Sequence, residues 1–475
     1  MKTTTARHQA AIDRSGYAPS VRWALGSLAL SMLLSSLGTS IANVGLPTLA
    51  QVFDASFQQV QWVVLAYLLA ITTLIVSAGG LGDLLGRRRL LLSGIALFTA
   101  ASALCGLAPT LGWLIGARAL QGLGAAIMMA LTLAFVGQTV PKARIGSAMG
   151  LLGTTSAIGT ALGPSLGGVL IAGFGWQAIF LICLPLGLLT WLLAYRHLPT
   201  DPPAEQGRRP RFDLLGTLLL ALTLGAYAMA MTLGRGHFGP LNIALLVAAL
   251  VGVGLFGWVE TKVASPLIRP AMFRDRLLSA SLVMSTLVTT VLMATLVVGP
   301  FYLARALALE PAKVGLVLAI GPAVAALTGV PAGRIADRFG ASAMTLVGLL
   351  AIALGCLALS LLPRTLGIAG YIVPMVILTL GYAVFQTANN TAVMSEIPAD
   401  RRGVISGLLN LSRNLGLITG AAALGAVFVF ATTSSDIITA DPEAVAAGMH
   451  ITFAVALGLI VVALGLALGN RARSR

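Results

Sequence analysis

Long apolar runs separated by short polar segments organise the chain from end to end. Fourteen stand out, at 23–47, 58–80, 90–108, 113–137, 145–172, 177–195, 213–233, 240–260, 277–303, 312–333, 342–363, 368–390, 403–431 and 446–469. A helix crossing a hydrocarbon core of roughly 30 Å needs about 20 apolar residues. In lipid every backbone group must be satisfied within its own segment, so each run reads as a helix. The pattern predicts an all-α polytopic membrane protein with fourteen transmembrane helices.

Composition agrees, since 57% of the 475 residues are hydrophobic and 9% are charged. Soluble domains carry about 25% charged residues. The net charge of +15 raises the question of nucleic acid, and its distribution answers it. Of the thirty Lys and Arg residues, 24 fall in the N-terminal tail, the C-terminal tail or every second loop, as at Arg87–Arg89, Arg208, Arg209, Arg211, Arg401 and Arg402. The intervening loops hold four, Arg235, Arg305, Lys313 and Arg364, and Arg118 and Arg413 lie inside runs. This asymmetry is the positive-inside signature and predicts that both termini are cytoplasmic. The partner it implies is the lipid bilayer with its anionic headgroups, and no nucleic acid. The first run continues directly from a basic N-terminal segment and reads as a retained span. The three cysteines fall in apolar runs and imply no disulfide framework.

The chain repeats itself. "VPKARIGSAMGLLGTTSAIGTALG" (140–163) aligns with "IPADRRGVISGLLNLSRNLGLITG" (397–420) at an offset of 257, and "GGLGDLLG" (79–86) with "GRIADRFG" (333–340) at an offset of 254. The runs therefore divide into two six-helix halves, 1–205 and 263–475. An inserted pair without a counterpart lies at 206–262, after the Pro-rich and charged linker 197–212. Two parallel pseudo-symmetric halves suggest a secondary transporter with its site between them.

Several motifs carry a family likeness. "GGLGDLLGRRRLL" (79–91), "LIGARALQGLGAA" (114–126) and "GTALGPSLGG" (159–168) resemble the loop 2–3, helix-4 and helix-5 signatures of the major facilitator superfamily, in that order along the chain. With fourteen runs the chain looks like the superfamily's drug:proton antiporter group. The resemblance implies the major facilitator fold, two pseudo-symmetric bundles plus two inserted helices. It further implies a multi-pass protein of the bacterial plasma membrane, a monomer, exporting small molecules by alternating access in exchange for protons. It makes Gly79, Asp83, Gly86, Arg87 and Arg88, with Gly333, Asp337 and Gly340, a conformational latch. Gly159, Gly163, Pro164, Gly167 and Gly168 become the antiporter motif, small residues on one helix face that permit close approach and a bend.

Polar residues inside membrane helices usually face a bundle interior or a cavity. Ser36, Thr39 and Asn43 share a face of the first run, Arg118 and Gln121 a face of the fourth, and Gln386, Asn389 and Arg413 fall in the twelfth and thirteenth. These are the candidate lining of a substrate and coupling cavity. The chain departs from its group at "LGTSIANVGLP" (37–47), where Gly38 replaces an aspartate. All fifteen acidic residues fall in loops, tails or run ends. A cavity without carboxylates favours neutral or anionic substrates, and a mid-membrane proton carrier is missing.

Other chemistries are excluded. "GVGLFG" (252–257) lies inside an apolar run and follows no strand, so it is no dinucleotide site. No Gly-Lys pair occurs, so there is no P-loop. Four scattered histidines and no embedded acid provide neither a metal site nor a catalytic centre. No cofactor is implied. The alternative function is import or uniport of a small organic anion or nutrient.

Overall fold

The apolar runs fold as helices, for the physical reason that lipid leaves the backbone no other partner. The computed structural model describes residues 19–139, 145–200, 213–233, 239–263, 270–361, 363–396, 402–432 and 440–473. In chain order the helices are α1 (Pro19–Val44), α2 (Leu46–Val52), α3 (Phe57–Leu85), α4 (Arg87–Gly106), α5 (Leu111–Thr139), α6 (Ile145–Phe174), α7 (Ala178–Leu181), α8 (Cys183–His197) and α9 (Leu214–Thr232). They continue with α10 (Pro240–Lys262), α11 (Arg276–Phe301), α12 (Pro311–Phe339), α13 (Ala341–Leu361), α14 (Gly367–Glu396), α15 (Arg402–Thr419), α16 (Gly425–Thr432) and α17 (Pro442–Arg473). Wide π-helical turns at Tyr302–Ala306 and Gly420–Leu424 extend α11 and join α15 to α16.

Twelve helical segments among the described residues are long and apolar enough to cross a membrane. The expected spans 145–172 and 312–333 lie in α6 and α12, where the described residues include the apolar stretches Ile158–Phe174 and Pro311–Ala325.

Local chemistry sets the helix ends. Ser56 and Gln59 form a reciprocal capping box at the start of α3. Asp275 caps α11 through the amides of Leu277 and Leu278, at 2.9 and 3.2 Å. Gly86 separates α3 from α4 with φ +91°, and Gly340 separates α12 from α13 with φ +87°. Side chains rarely tolerate that region, and the two glycines are repeat mates.

Packing reproduces the repeat. In the first half α1 lies on α6 and α8, α3 on α5, and α4 on α5 and α8. In the second, α11 lies on α15 and α17, α12 on α14, and α13 on α14 and α17. Individual glycines show the same correspondence. Gly159 abuts the Leu33 carbonyl and Ser36, and Gly416 abuts the Thr286 carbonyl and Thr289. Gly124 seats against Gly94 and Phe98, while Gly381 seats against Gly348 and Ile352. The halves meet where α6 packs on α12 and α3 on α15. The inserted pair α9–α10 leans on α3, through Ser77 to Thr217 (2.8 Å) and Trp62 to Thr232 (3.1 Å).

Candidate functional site

Arg118 sits two turns into α5 and is completely buried. Its Nε donates to the Val63 carbonyl at 2.8 Å, one terminal nitrogen to the Gly38 carbonyl at 3.0 Å and the other to Gln121 Oε1. Gln121 passes the contact on, donating from Nε2 to Ser102 Oγ at 2.7 Å. The guanidinium carbon stands 4.1 Å from the centre of the Tyr67 ring. A desolvated cation over an aromatic face gains about 2 kcal/mol. Carbonyls, an amide and a ring answer this arginine, and no carboxylate is among the partners described. Tyr67 in turn donates to the Ser35 carbonyl at 2.8 Å.

The open space lies elsewhere. A cavity of about 220 Å³ forms at the junction of the halves. Its apolar walls are Leu292, Leu296, Pro322, Ala325, Met375 and Tyr382, and its polar groups include Ser156, Thr160, Thr295, Thr379 and Arg413. Arg413 Nε and Thr379 Oγ1 are buried without a hydrogen-bond partner.

The repeat explains why the hollow is in the second half. The offsets of 254 and 257 place Gly321 where the first half has Tyr67, and Met375 where it has Arg118. The correspondence is physical: a methyl built on Gly321 would touch Met375 at 2.9 Å, as the Tyr67 ring touches Arg118. Leu292 follows Thr289 as Thr39 follows Ser36, so it stands for Thr39. Ring and guanidinium fill one copy, and glycine and thioether leave the other open.

The remaining expected lining residues divide. Arg413 lines the cavity, and Ser36 reaches it through a 2.6 Å contact with Ser156. Arg118 and Gln121 do not line it. Thr39 bonds the Ser35 carbonyl, and Asn43 bonds the Thr39 and Ser40 carbonyls on its own helix. Gln386 pairs with Asn390 at 3.1 Å, and Asn389 with the Ser281 carbonyl at 3.3 Å. Reasoning from polar residues reached Arg413 but not the apolar walls that make up most of the cavity. The repeat carried the missing signal, in the substitution of Gly321 and Met375 for two large polar residues.

One end of the junction, at residues 44–61 and 301–315, is closed. Phe57 packs edge-on against Phe301 with ring centres 4.7 Å apart, and lies 5.4 Å from Phe428. Gln61 donates to the Ala421 carbonyl at 2.8 Å, inside the π-helical turn. Beside them α6 meets α12. A methyl on Gly168 would lie 2.7 Å from the Pro311 carbonyl and 3.0 Å from Gly315. A smaller pocket of about 150 Å³ opens here, between Thr48 and Gln51 on one side and Arg305 on the other.

The antiporter-motif residues therefore do not share a single face, which corrects the sequence expectation. Gly159, Gly163 and Gly167 turn to α1, against Leu33, Ser40 and Val44, while the Pro164 carbonyl and Gly168 turn to Gly315 of the other half. Close spacing along one helix serves two neighbours. Of the latch residues, Gly79 and Asp83 lie in α3 and Gly333 and Asp337 in α12, and the side chains of the two aspartates lie outside the described residues. Arg87 opens α4, and Arg88 donates to the Tyr195 carbonyl and lies over its ring within the same half.

Two of the acids at span ends are buried. Asp213 is 6% exposed and Glu260 3%, and both carboxylates flank Gly216 across the α9–α10 contact. Asp213 Oδ1 caps α9 by accepting from the Gly216 amide at 2.8 Å.

Two pseudo-symmetric helical bundles with a cavity at their junction define a multi-pass membrane transporter for small molecules. The sequence profile of the Major Facilitator Superfamily matches residues 28–421, and the chain belongs to that family. It is 34% identical over 403 residues to the multidrug resistance protein Stp of Mycobacterium tuberculosis, covering 84% of this chain and 74% of that one. It is 30% identical over 406 residues to the riboflavin transporter RibZ of Clostridioides difficile, covering 86% and 88%. Its fold resembles the crystal structure of a bacterial homologue of the human lysosomal transporter Spinster. There the TM-score is 0.71 and the identity 16%, over 95% of this chain and 97% of the other.

Proposed function

We propose that the chain is a secondary exporter of drugs or small hydrophobic metabolites, working by alternating access in a bacterial plasma membrane. Fourteen crossings, with both termini in the cytoplasm, organise it as bundles 1–205 and 263–475 around the inserted helices 206–262. The observation that carries this reading is the cavity at the junction of the halves, closed toward residues 44–61 and 301–315. The positive-inside pattern of the basic loops supports an outward-facing closed end, which leaves the cavity for cytoplasmic loading. Relatives with drug-efflux names support the direction of transport. Because Gly38 stands where the group has a helix-1 aspartate and no carboxylate is among the described lining residues, the cargo is neutral or anionic. Proton exchange, as in the antiporter group, falls to residues outside the cavity. The protein acts as a monomer. Expression in a pump-deficient bacterium, with a panel of toxic compounds and a protonophore, tests this. Protection abolished by the protonophore is expected, and unchanged susceptibility across the panel would refute export.

The similarity to a relative named as a riboflavin transporter favours one alternative, import or uniport of a small organic anion or nutrient. Right-side-out and inside-out vesicles separate the two, since an exporter concentrates its cargo only in the latter.

A further inference from the structure

We infer that the cavity takes an organic monoanion, its acid group on Arg413 and its apolar body in the hollow of the second half. This rests on the reading of the chain as a transporter and names the chemical class of its cargo.

Among the described lining residues Arg413 is the one cation, and none is a carboxylate. Its Nε is buried without a partner, as is Thr379 Oγ1. Buried polar groups in native proteins find partners, and a guanidinium lining a hollow matches the two oxygens of a carboxylate. Ser156 and Thr160 bring hydroxyls from the first half, on the helix that is the repeat mate of α15; Thr160 donates to the Ser156 carbonyl at 3.1 Å, and Ser156 can donate to the anion while accepting from Ser36. Ser156 and Arg413 are themselves mates at the offset of 257, so one position of the repeat supplies a polar group from each half.

The other intramembrane arginine cannot play this part. Arg118 is closed off from the cavity, and its donors go to Val63, Gly38 and Gln121. The apolar side of the site comes from the vacated mate of the Arg118 nest. Leu292, Gly321 and Met375 stand where the first half has Thr39, Tyr67 and Arg118. Leucine, glycine and methionine offer a flexible apolar bed and no competing charge. The cavity volume of about 220 Å³ suits an acid carrying one or two rings.

The test uses the purified full chain in nanodiscs and two probes of one shape, tritiated 2-naphthoate and 2-naphthamide, in equilibrium binding at neutral pH. Wild type is expected to prefer the acid by about tenfold or more. Arg413→Gln should erase the preference and Arg413→Lys should keep part of it. If Arg413→Gln does not fold, the acid-to-amide ratio of wild type and of Arg413→Lys decides alone. Equal binding of the two probes, binding of neither, or an unchanged preference in folded Arg413→Gln overturns the inference. A parallel arm follows ethidium and an uncharged dye in proteoliposomes. Transport of either without an acid preference sinks the monoanion alone, whereas no transport of any compound sinks the transporter reading.

Discussion

The Tyr67 hydroxyl occupies the space of a side chain at position 38, standing 2.8 Å from where its first carbon would be. The same residue supports Arg118 from below, with the guanidinium carbon 4.1 Å from its ring centre. Glycine at 38 and tyrosine at 67 thus form one unit that satisfies Arg118 without an acid.

Gly38→Ala should therefore lower thermal stability by about 1–3 kcal/mol, the usual cost of overpacking. Phe98 closes the other side at 3.2 Å, so the methyl has no easy escape. Adding Tyr67→Phe removes the nearest atom and should recover part of the loss. A double-mutant cycle on thermal unfolding of the purified protein measures the coupling. Additive effects would contradict the pairing.

Arg118→Ala leaves two carbonyls and the Gln121 amide oxygen without their donor. The orphaned Gln121 oxygen costs about 1–3 kcal/mol, and the two carbonyls, which keep their helical amides, lose a second donor. The expected result is a marked drop in unfolding temperature and in monodisperse yield. The protein that does fold should keep the wild-type ratio of 2-naphthoate to 2-naphthamide binding, and an altered ratio would return Arg118 to the site.

Gly168→Ala inserts a methyl between α6 and α12, against Pro311 and Gly315. The closed end should open more often. Thr48→Cys, in the small pocket beside that seam, reports the change by labelling with an impermeant maleimide. The native cysteines Cys105, Cys183 and Cys356 are buried and keep the background low. A several-fold faster reaction in the Gly168→Ala background is expected, and an equal rate would argue that the seam is not a gate.

A monoanionic cargo makes export electrogenic. An inside-negative potential favours its exit by about 2.3 kcal/mol per charge per 100 mV. In proteoliposomes, a potassium diffusion potential set by valinomycin should speed release of 2-naphthoate. Rates that ignore the potential would be incompatible with an anion leaving alone or in exchange for a proton.

Asp213 and Glu260 offer a test of the inserted pair. Asp213→Asn retains a good helix cap and should be nearly neutral, whereas Asp213→Leu loses the cap, about 0.5–2 kcal/mol, and buries leucine against Glu260. Thermal unfolding of the two variants should separate them clearly.

Much of the architecture was legible because lipid imposes a simple code. Twenty apolar residues leave few structural choices, so helix positions and the duplicated halves followed from the runs and from the offsets of 254 and 257. The site was less legible. Arg118 attracts attention as a charge in an apolar run, yet the fold spends its donors on backbone carbonyls that no sequence pattern displays. The cavity is marked by what is small, Gly321 and Met375, and smallness has meaning only beside the larger mates Tyr67 and Arg118. The glycines of 159–168 share a spacing, but which of two neighbours each one meets depends on where α12 crosses.

The unequal filling of the two copies has an evolutionary consequence. Substitutions at Thr39, Tyr67 or Arg118 strike a closed, interlocked cluster and endanger the whole molecule. Substitutions at Leu292, Gly321 or Met375 reshape an empty volume and leave that cluster untouched. Lineages of such a chain can explore new cargo in one copy while purifying selection holds the other still, so duplication supplies both an anchor and a field for variation.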